Sequence, residues 1–450
     1  MGSDHRVARG RLGHQRARQY RRRYRCGRPA RARRKVAIAL HVEATADPYI
    51  EATRRGGLSP GIAFAAISAI FVLFAAAASA PTPLYVVYQK QWGFSATTLT
   101  VIFAVYVVGL IGSLLVIGAL SDHVGRRPVL AGAIALEAAA FFLFLAAGDV
   151  TGLIAARVAQ GIATGAAFST LGATLVDLDP PHSPGRAGLV NGVAPISGLA
   201  LGALGCGALV EFAPFPTHLV FALLLLGTGV ALVVVTLIPE TSARRPGTLA
   251  SLIPVLGIPV RLRPDVFALV PIIVASWALG GLYLSLGPSV AVSLFGLKNH
   301  LMGGLVVTLL CGAGALTAFA LRRWPTNRVL GISAAFLSAG TALTLAGVET
   351  HAVALAGIGT VAAGVGFGAS ALGSFGTLAR IAGPAERSEL LAAALVIAYL
   401  AFSLPAVAAG IATTSVGLRP TTVVYSLGVV ALGVIALAAQ RRRAVRIAGP

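Results

Sequence analysis

Gly118-Ala-Leu-Ser-Asp122-His-Val-Gly125-Arg126-Arg127-Pro128-Val-Leu130 lies between two long apolar runs, from about 97 to 120 and from about 128 to 148. Two helices that must stop and reverse are therefore joined by a tight, strongly charged turn. Gly125 supplies a backbone conformation that other residues adopt at a cost. Pro128 suits a first helical turn, where its missing N–H would go unpaired in any case. Any chain that crosses a membrane repeatedly needs Arg-rich turns, which accounts for Arg126 and Arg127. It does not account for the spaced glycines, the Asp and the Pro together.

The whole chain has the composition this turn requires. Mean hydropathy is +0.84, 56% of residues are apolar and only 11% are charged, which excludes an ordinary soluble domain. Cys26, Cys206 and Cys311 indicate neither a disulfide framework nor a thiolate metal site. There is no Cys-x-x-Cys, His-Glu-x-x-His or Walker-type loop, so ATP-driven transport by this chain alone is not expected, and no cofactor or metal is implied.

A helix needs about 20 largely apolar residues to cross a bilayer. Twelve such runs follow one another, at about 61–80, 97–120, 128–148, 152–176, 187–211, 217–238, 266–289, 302–321, 329–347, 352–376, 390–413 and 421–439. They are numbered here as spans 1 to 12. The longest interval between them, 239–265, holds five prolines and four arginines and divides the spans six and six. The expected organisation is an N-terminal extension (1–57), a first six-helix bundle (58–238), a linker (239–265), a second bundle (266–440) and a basic tail (441–450). With the N-terminus inside, the cytoplasmic segments after residue 57 carry sixteen Lys and Arg, and the external ones carry Lys90, Lys298 and Arg419. That bias satisfies the positive-inside rule and puts both termini in the cytoplasm.

The turn, read as G-x-L-S-D-x-x-G-R-R-P-x-L, resembles the loop 2–3 signature of the major facilitator superfamily. The resemblance covers about 61–440. It implies an all-α integral membrane protein of twelve helices in two pseudo-symmetric bundles, rocking about a midplane site to give alternating access. It also implies that Gly118, Asp122, Gly125, Arg126 and Arg127 form a conformational switch. In the family the loop Asp contacts the cytoplasmic end of span 11, here 384–389 with Glu386 and Glu389. The arginines pair with a carboxylate ending span 4, here Asp177 or Asp179. Gly314-Ala-Leu-Thr-Ala-Phe-Ala-Leu-Arg322-Arg323, at the end of span 8, echoes 118–127 at a constant offset of 196, with Ala318 for Asp122 and Leu321 for Gly125. It is expected at the equivalent loop of the second half, because major facilitator halves are parallel repeats.

Span 4 contains Arg157-Val-Ala-Gln160-Gly161-Ile-Ala-Thr-Gly165. An arginine inside a span needs a partner or a watery cavity, unless it snorkels to the interface. Gly161 and Gly165 share a helix face and permit close backbone approach. The pattern R-x-x-Q-G-x-x-x-G is similar to the span 4 signature of proton-coupled members, which implies a proton-coupling role for Arg157 and a packing role for Gln160, Gly161 and Gly165. Glu137 is the one carboxylate well inside a span, and so is the default proton carrier; neutralising a neighbouring Arg is its structural alternative. Span 5 carries Gly192, Pro195, Gly198, Gly202, Gly205 and Gly207 and resembles the span 5 signature of drug–proton antiporters, but it lacks that signature's Gly-Pro pair. Gly198 and Gly202 are expected to pack against a neighbouring helix.

Spans 1 and 7 correspond, and both are interrupted by proline near Tyr85, Tyr88, Trp277 and Tyr283; such paired interruptions point to a binding site. Tyr106, Asn191, Phe367, Ser370 and Tyr399 join them as expected cavity residues, since in the family spans 1, 4, 7 and 10 line the cavity with help from 2, 5, 8 and 11. A group this neutral suits an apolar, aromatic or sugar-like solute.

Residues 1–56 carry +12 of the chain's net charge of +21 and show no apolar periodicity between 16 and 35. An upstream start-codon assignment accounts for them without a role; attraction to anionic lipid, nucleic-acid binding and a transit peptide are functional alternatives. The expected protein is a plasma (inner) membrane transporter, not an enzyme, that works as a monomer by efflux, with a small solute and protons as its partners. Uptake by symport or facilitated diffusion is the alternative. A membrane-anchored nucleic-acid-binding protein acting through residues 1–35 is the remote one, and no nucleic-acid partner is expected.

Overall fold

The computed structural model describes residues 58–448, apart from 180–184, 243–245, 247–251, 253–255, 298 and 384–385. The N-terminal extension, most of the central linker and Pro384 therefore lie outside the described residues, as do the side chains from 442 onward. Every regular element among the described residues is a helix.

Among the described residues, eleven helices are long and apolar enough to cross a bilayer: Pro60–Trp92, Ala96–Ile117, Arg126–Ala146, Arg186–Phe212, Pro216–Leu237, Val260–Ser285, His300–Ala320, Thr326–Glu349, Val353–Ile381, Glu389–Val416 and Leu418–Arg441. Span 4, Val150–Asp177, is a twelfth helix of 28 residues. It falls short in hydropathy because Arg157, Gln160, Thr164, Thr170 and Thr174 sit within it, and all five side chains are buried. Large apolar side chains such as Val108, Phe142, Leu226 and Leu316 point outward, as they must where the solvent is lipid and every backbone group is satisfied within the helices.

The proline interruptions have a definite shape. Span 1 stops at Ser79 and resumes as Pro81–Trp92; span 7 stops at Ser285 and resumes as Gly287–Phe295. Pro81 and Pro288 stand in first turns, where no N–H is needed. The second pieces place Tyr85 and Ala291, respectively, in the bundle interiors.

Close helix packing fixes how the halves correspond. Gly161 and Gly165 of span 4 lie against the carbonyls of Tyr106 and Leu110 in span 2, with no room for a Cβ. Gly364 and Gly368 of span 10 lie in the same way against Leu310 and Gly314 of span 8. Gly314 therefore stands where Leu110 stands, not where Gly118 stands. This corrects the expected echo at offset 196: residues 314–320 belong to the span 8 helix, and only Arg322 and Arg323 follow it. The matching offset for spans 3–4 against 9–10 is 203 (Gly161 to Gly364, Gly165 to Gly368). For spans 2 and 8 the same contacts give 204 (Tyr106 to Leu310, Leu110 to Gly314), eight residues more than the echo.

The two bundles meet along span 5 with span 8 and span 2 with span 11. Among the described residues, the hydrogen bonds that join them lie at the end opposite the 118–130 turn or near mid-span. Thr97 Oγ1 donates to Gly410 O (3.2 Å) and meets Thr414 (2.9 Å), Thr308 Oγ1 donates to Ala200 O (3.0 Å), and His300 N donates to Glu211 (2.8 Å).

Candidate functional site

The 118–130 turn folds around one arginine. Span 2 ends at Ile117, a four-residue helix, Ser121–Val124, follows, and span 3 begins at Arg126. The junction is Gly125, at φ 111° and ψ 153°, a conformation that favours glycine strongly. Arg126 binds Asp122 of its own turn (2.6 Å), Asp177 at the end of span 4 (3.1 Å) and Ser121 (2.6 Å). Asp179, the other carboxylate considered for this pairing, instead accepts from Gly185 N and Ala187 N at the start of span 5.

The residue that sequence reasoning missed is Glu240, just past the end of span 6. Its carboxylate accepts from the backbone N–H groups of Arg126 (2.7 Å) and Arg127 (3.1 Å). It thereby caps the N-terminus of span 3, where helix N–H groups lack internal partners and negative charge is favoured. A Cβ on Gly125 would lie 2.7 Å from Glu240 Oε2, so Gly125 is required for space as well as for φ. Arg127 reaches Thr236 O, also on span 6. The available signal was Glu240 as the first carboxylate after a span end. The partners Glu386 and Glu389 are placed elsewhere: Glu386 pairs with Arg261, and Glu389 lies against Gly257, both before span 7. Asp122 meets neither, and each half holds its own charges at this end.

The second centre is buried inside the first bundle. Arg157 is wholly buried and does not snorkel. Its Nε donates to Tyr85 Oη (2.8 Å), and Nη1 donates to Ala78 O (3.2 Å) and Gln160 Oε1 (2.6 Å). Its guanidinium also lies over the rings of Tyr106 (5.0 Å) and Tyr85 (5.4 Å). Gln160 Nε2 donates to Ala77 O (3.1 Å) and to Glu137 Oε1 (3.2 Å). Glu137 and Arg157 are thus not in direct contact; Gln160 stands between them. Grouped with the packing glycines from sequence, it is a hydrogen-bonding link instead. Glu137 Oε2 has no partner among the described residues, which leaves one carboxylate oxygen of a fully buried group open to a proton. Burying charge is tolerable only with partners of this kind.

The other expected cavity residues divide into three groups. Trp277 is surrounded edge-on by Tyr399 (4.9 Å between centroids), Phe402 (5.9 Å) and Phe375 (6.4 Å); Phe402 also meets Phe103 of the first bundle (5.0 Å). Tyr283 bonds Thr360 (2.9 Å), and Ser370 donates to Ile272 O, both within the second bundle. Phe367 packs on Gly280 and Gly314. Tyr88 stacks on Trp92, and Asn191 Nδ2 donates to Gly172 O, which makes these two local packing residues. Gly198 and Gly202 lie against Val72 and Ala76 of span 1. Among the described residues no cluster of His, Cys, Asp or Glu has the grouping of a metal site.

Residues 65–406 match the Major Facilitator Superfamily. A 150-residue stretch is 35% identical to the multidrug resistance protein MdtL of Shewanella oneidensis, covering 30% of this chain and 37% of that protein. Another, of 154 residues, is 30% identical to the probable chloroplastic anion transporter 2 of Oryza sativa subsp. japonica, covering 34% and 27%. The chain thus spans about a third of the length of the curated relatives it matches. Its fold superposes on a bacterial homologue of the human lysosomal transporter Spinster, solved inward-facing and occupied, with TM-score 0.68 and 14% identity over 86% of this chain and 98% of that one.

Proposed function

The chain belongs to the major facilitator superfamily, and from that premise we propose that it exports a small solute in exchange for protons. Membership itself makes it a multi-pass membrane transporter of some solute rather than an enzyme. The observation that carries the finer reading is the Glu137–Gln160–Arg157–Tyr85 centre, with a buried carboxylate oxygen left without a partner. A carboxylate so placed takes up and releases a proton only when water reaches it, which rocking of the bundles provides in turn from each side. Arg157, linked through Gln160, makes the charged form of Glu137 tolerable when the proton is absent.

The charge bias of the loops supports a cytoplasmic position for the 118–130 turn and both termini, and the bacterial relative supports a plasma membrane. The bundle contacts at the opposite end then support an arrangement closed to the outside. Trp277, Tyr399 and Phe402 offer an aromatic wall beside Tyr106, which suits an apolar or aromatic solute. Efflux is supported by the likeness to a multidrug resistance protein. Uptake or facilitated diffusion is the second reading, favoured by the residue before Pro195, which is Ala194 where the antiporter signature has glycine.

Proteoliposomes carrying an internal pH reporter test the coupling. In the wild type, addition of a transported aromatic solute should move protons, and an imposed proton gradient should drive the solute against its own gradient. Glu137→Gln should retain downhill solute exchange and lose the proton-driven component. Unchanged gradient-driven transport in that variant would sink the carrier role.

A further inference from the structure

The second bundle contains a cavity at the place where the first holds its charged centre. At the offset of 203 set by the paired glycines, Glu137 corresponds to Gly340, Arg157 to Thr360 and Gln160 to Ala363. The packing agrees: Gly340 lies directly on the backbone of Ala363, as Glu137 lies on Gln160. Counted from the helix breaks at Ala80 and Leu286, Tyr85 corresponds to Ala291. Three large polar side chains and a tyrosine are thus replaced by Gly, Thr, Ala and Ala. Two of these positions, Ala291 and Thr360, line a cavity of about 130 Å³, walled by spans 7 to 10 and 12. Leu282, Ala291 and Gly357 are among its apolar walls, and Tyr283, Thr341, Thr344, Thr360, Thr422 and Ser426 bring hydroxyls.

Two features point to a ligand. The Thr341 hydroxyl is buried, at 2% exposure, with no hydrogen-bond partner among the described residues, which is costly unless something supplies one. Gly357, which lines the cavity, faces open space, with no atom within 4 Å of where a Cβ would stand. An apolar protein cavity of about 150 Å³ takes up a molecule the size of benzene.

We propose that this cavity is an accessory binding site, separate from the space between the bundles, for a small neutral ring-sized solute that carries one hydroxyl. Neutrality follows from the lining, in which no charged side chain compensates a charge. The hydroxyl follows from Thr341, and the size follows from the volume.

The test uses the full chain in detergent and 4-fluorophenol followed by fluorine NMR, with fluorobenzene as the comparator. Wild-type protein should bind 4-fluorophenol saturably. Gly357→Leu and Ala291→Leu fill the cavity from separate walls, and binding should be lost in whichever of the two retains the wild-type unfolding transition. Thr341→Val should weaken 4-fluorophenol about fivefold, the equivalent of one hydrogen bond, and leave fluorobenzene unchanged. Absence of saturable binding in the wild type, or undiminished binding in a folded cavity-filled variant, overturns the site. Equal weakening of both probes by Thr341→Val overturns the role of the hydroxyl. The Glu137→Gln protein should bind 4-fluorophenol as the wild type does, so the site stands or falls apart from proton coupling.

Discussion

Spans 3 and 4 of the first bundle and spans 9 and 10 of the second are assembled alike but filled differently. In both, two glycines four residues apart let one helix lie on the carbonyls of another. Between the helices the first bundle holds Glu137, Gln160 and Arg157, where the second holds Gly340, Ala363 and Thr360. Duplication reproduced the backbone contacts, which any copy of the fold must satisfy. The polar filling is present in one copy alone, and that is where ionisable chemistry resides. A second contrast concerns charge at the 118–130 end, where Arg126 gathers Asp122, Asp177 and Glu240, while Arg322, after span 8, turns back on Phe319.

The contrast is broken most severely at Arg157. Arg157→Met leaves Glu137 buried without its compensating charge, and loss of one partner of a buried charged network costs about 3–5 kcal/mol. The expected result is a large fall in thermal stability, whereas Thr360→Val at the twin position should cost no more than about 1.5 kcal/mol. Comparable losses at the two sites would erase the distinction. Next come the shared glycines. Gly161→Val and Gly364→Val should each destabilise by about 1–3 kcal/mol, and by similar amounts, because the same backbone contact is opened in each; a loss confined to one half would show that the packing is not duplicated.

Glu240→Ala removes the cap of span 3 and should cost about 0.5–2 kcal/mol, read as a lower unfolding midpoint. Asp122→Asn should cost under about 1 kcal/mol, because Asp122 is half exposed and surface pairs are weak. Transport is the informative readout for that variant. A rate unchanged from wild type would leave the turn as a hinge, and a changed rate with normal stability would make Asp122 part of the switch.

Much of the fold was legible residue by residue. The apolar runs fixed the spans, since a helix that faces lipid must be apolar on its outer side, and Pro81 and Pro288 marked the breaks in spans 1 and 7. Arg157 and Glu137 announced themselves by their expense inside a membrane. The link between them was not legible, because Gln160 reads as one more polar residue beside two glycines. Glu240 was also missed, since its role depends on where span 6 ends relative to the start of span 3. The echo at 314–323 was read in the wrong register because matching residue types alone do not fix which turn of span 8 faces which, and only the carbonyls beneath Gly364 and Gly368 decide it.

The sequence by itself thus determined the membrane class, the number of spans, the charged turn and the two ionisable residues buried in the first bundle. Those follow from hydropathy, length and the cost of charge, which act on each segment alone. The tertiary structure decided which carboxylates meet Arg126, that Gln160 joins Glu137 to Arg157, and that the second bundle carries a cavity in the matching place. Each of these depends on side chains from helices far apart in sequence arriving at one point, and close packing, not composition, sets where that point lies.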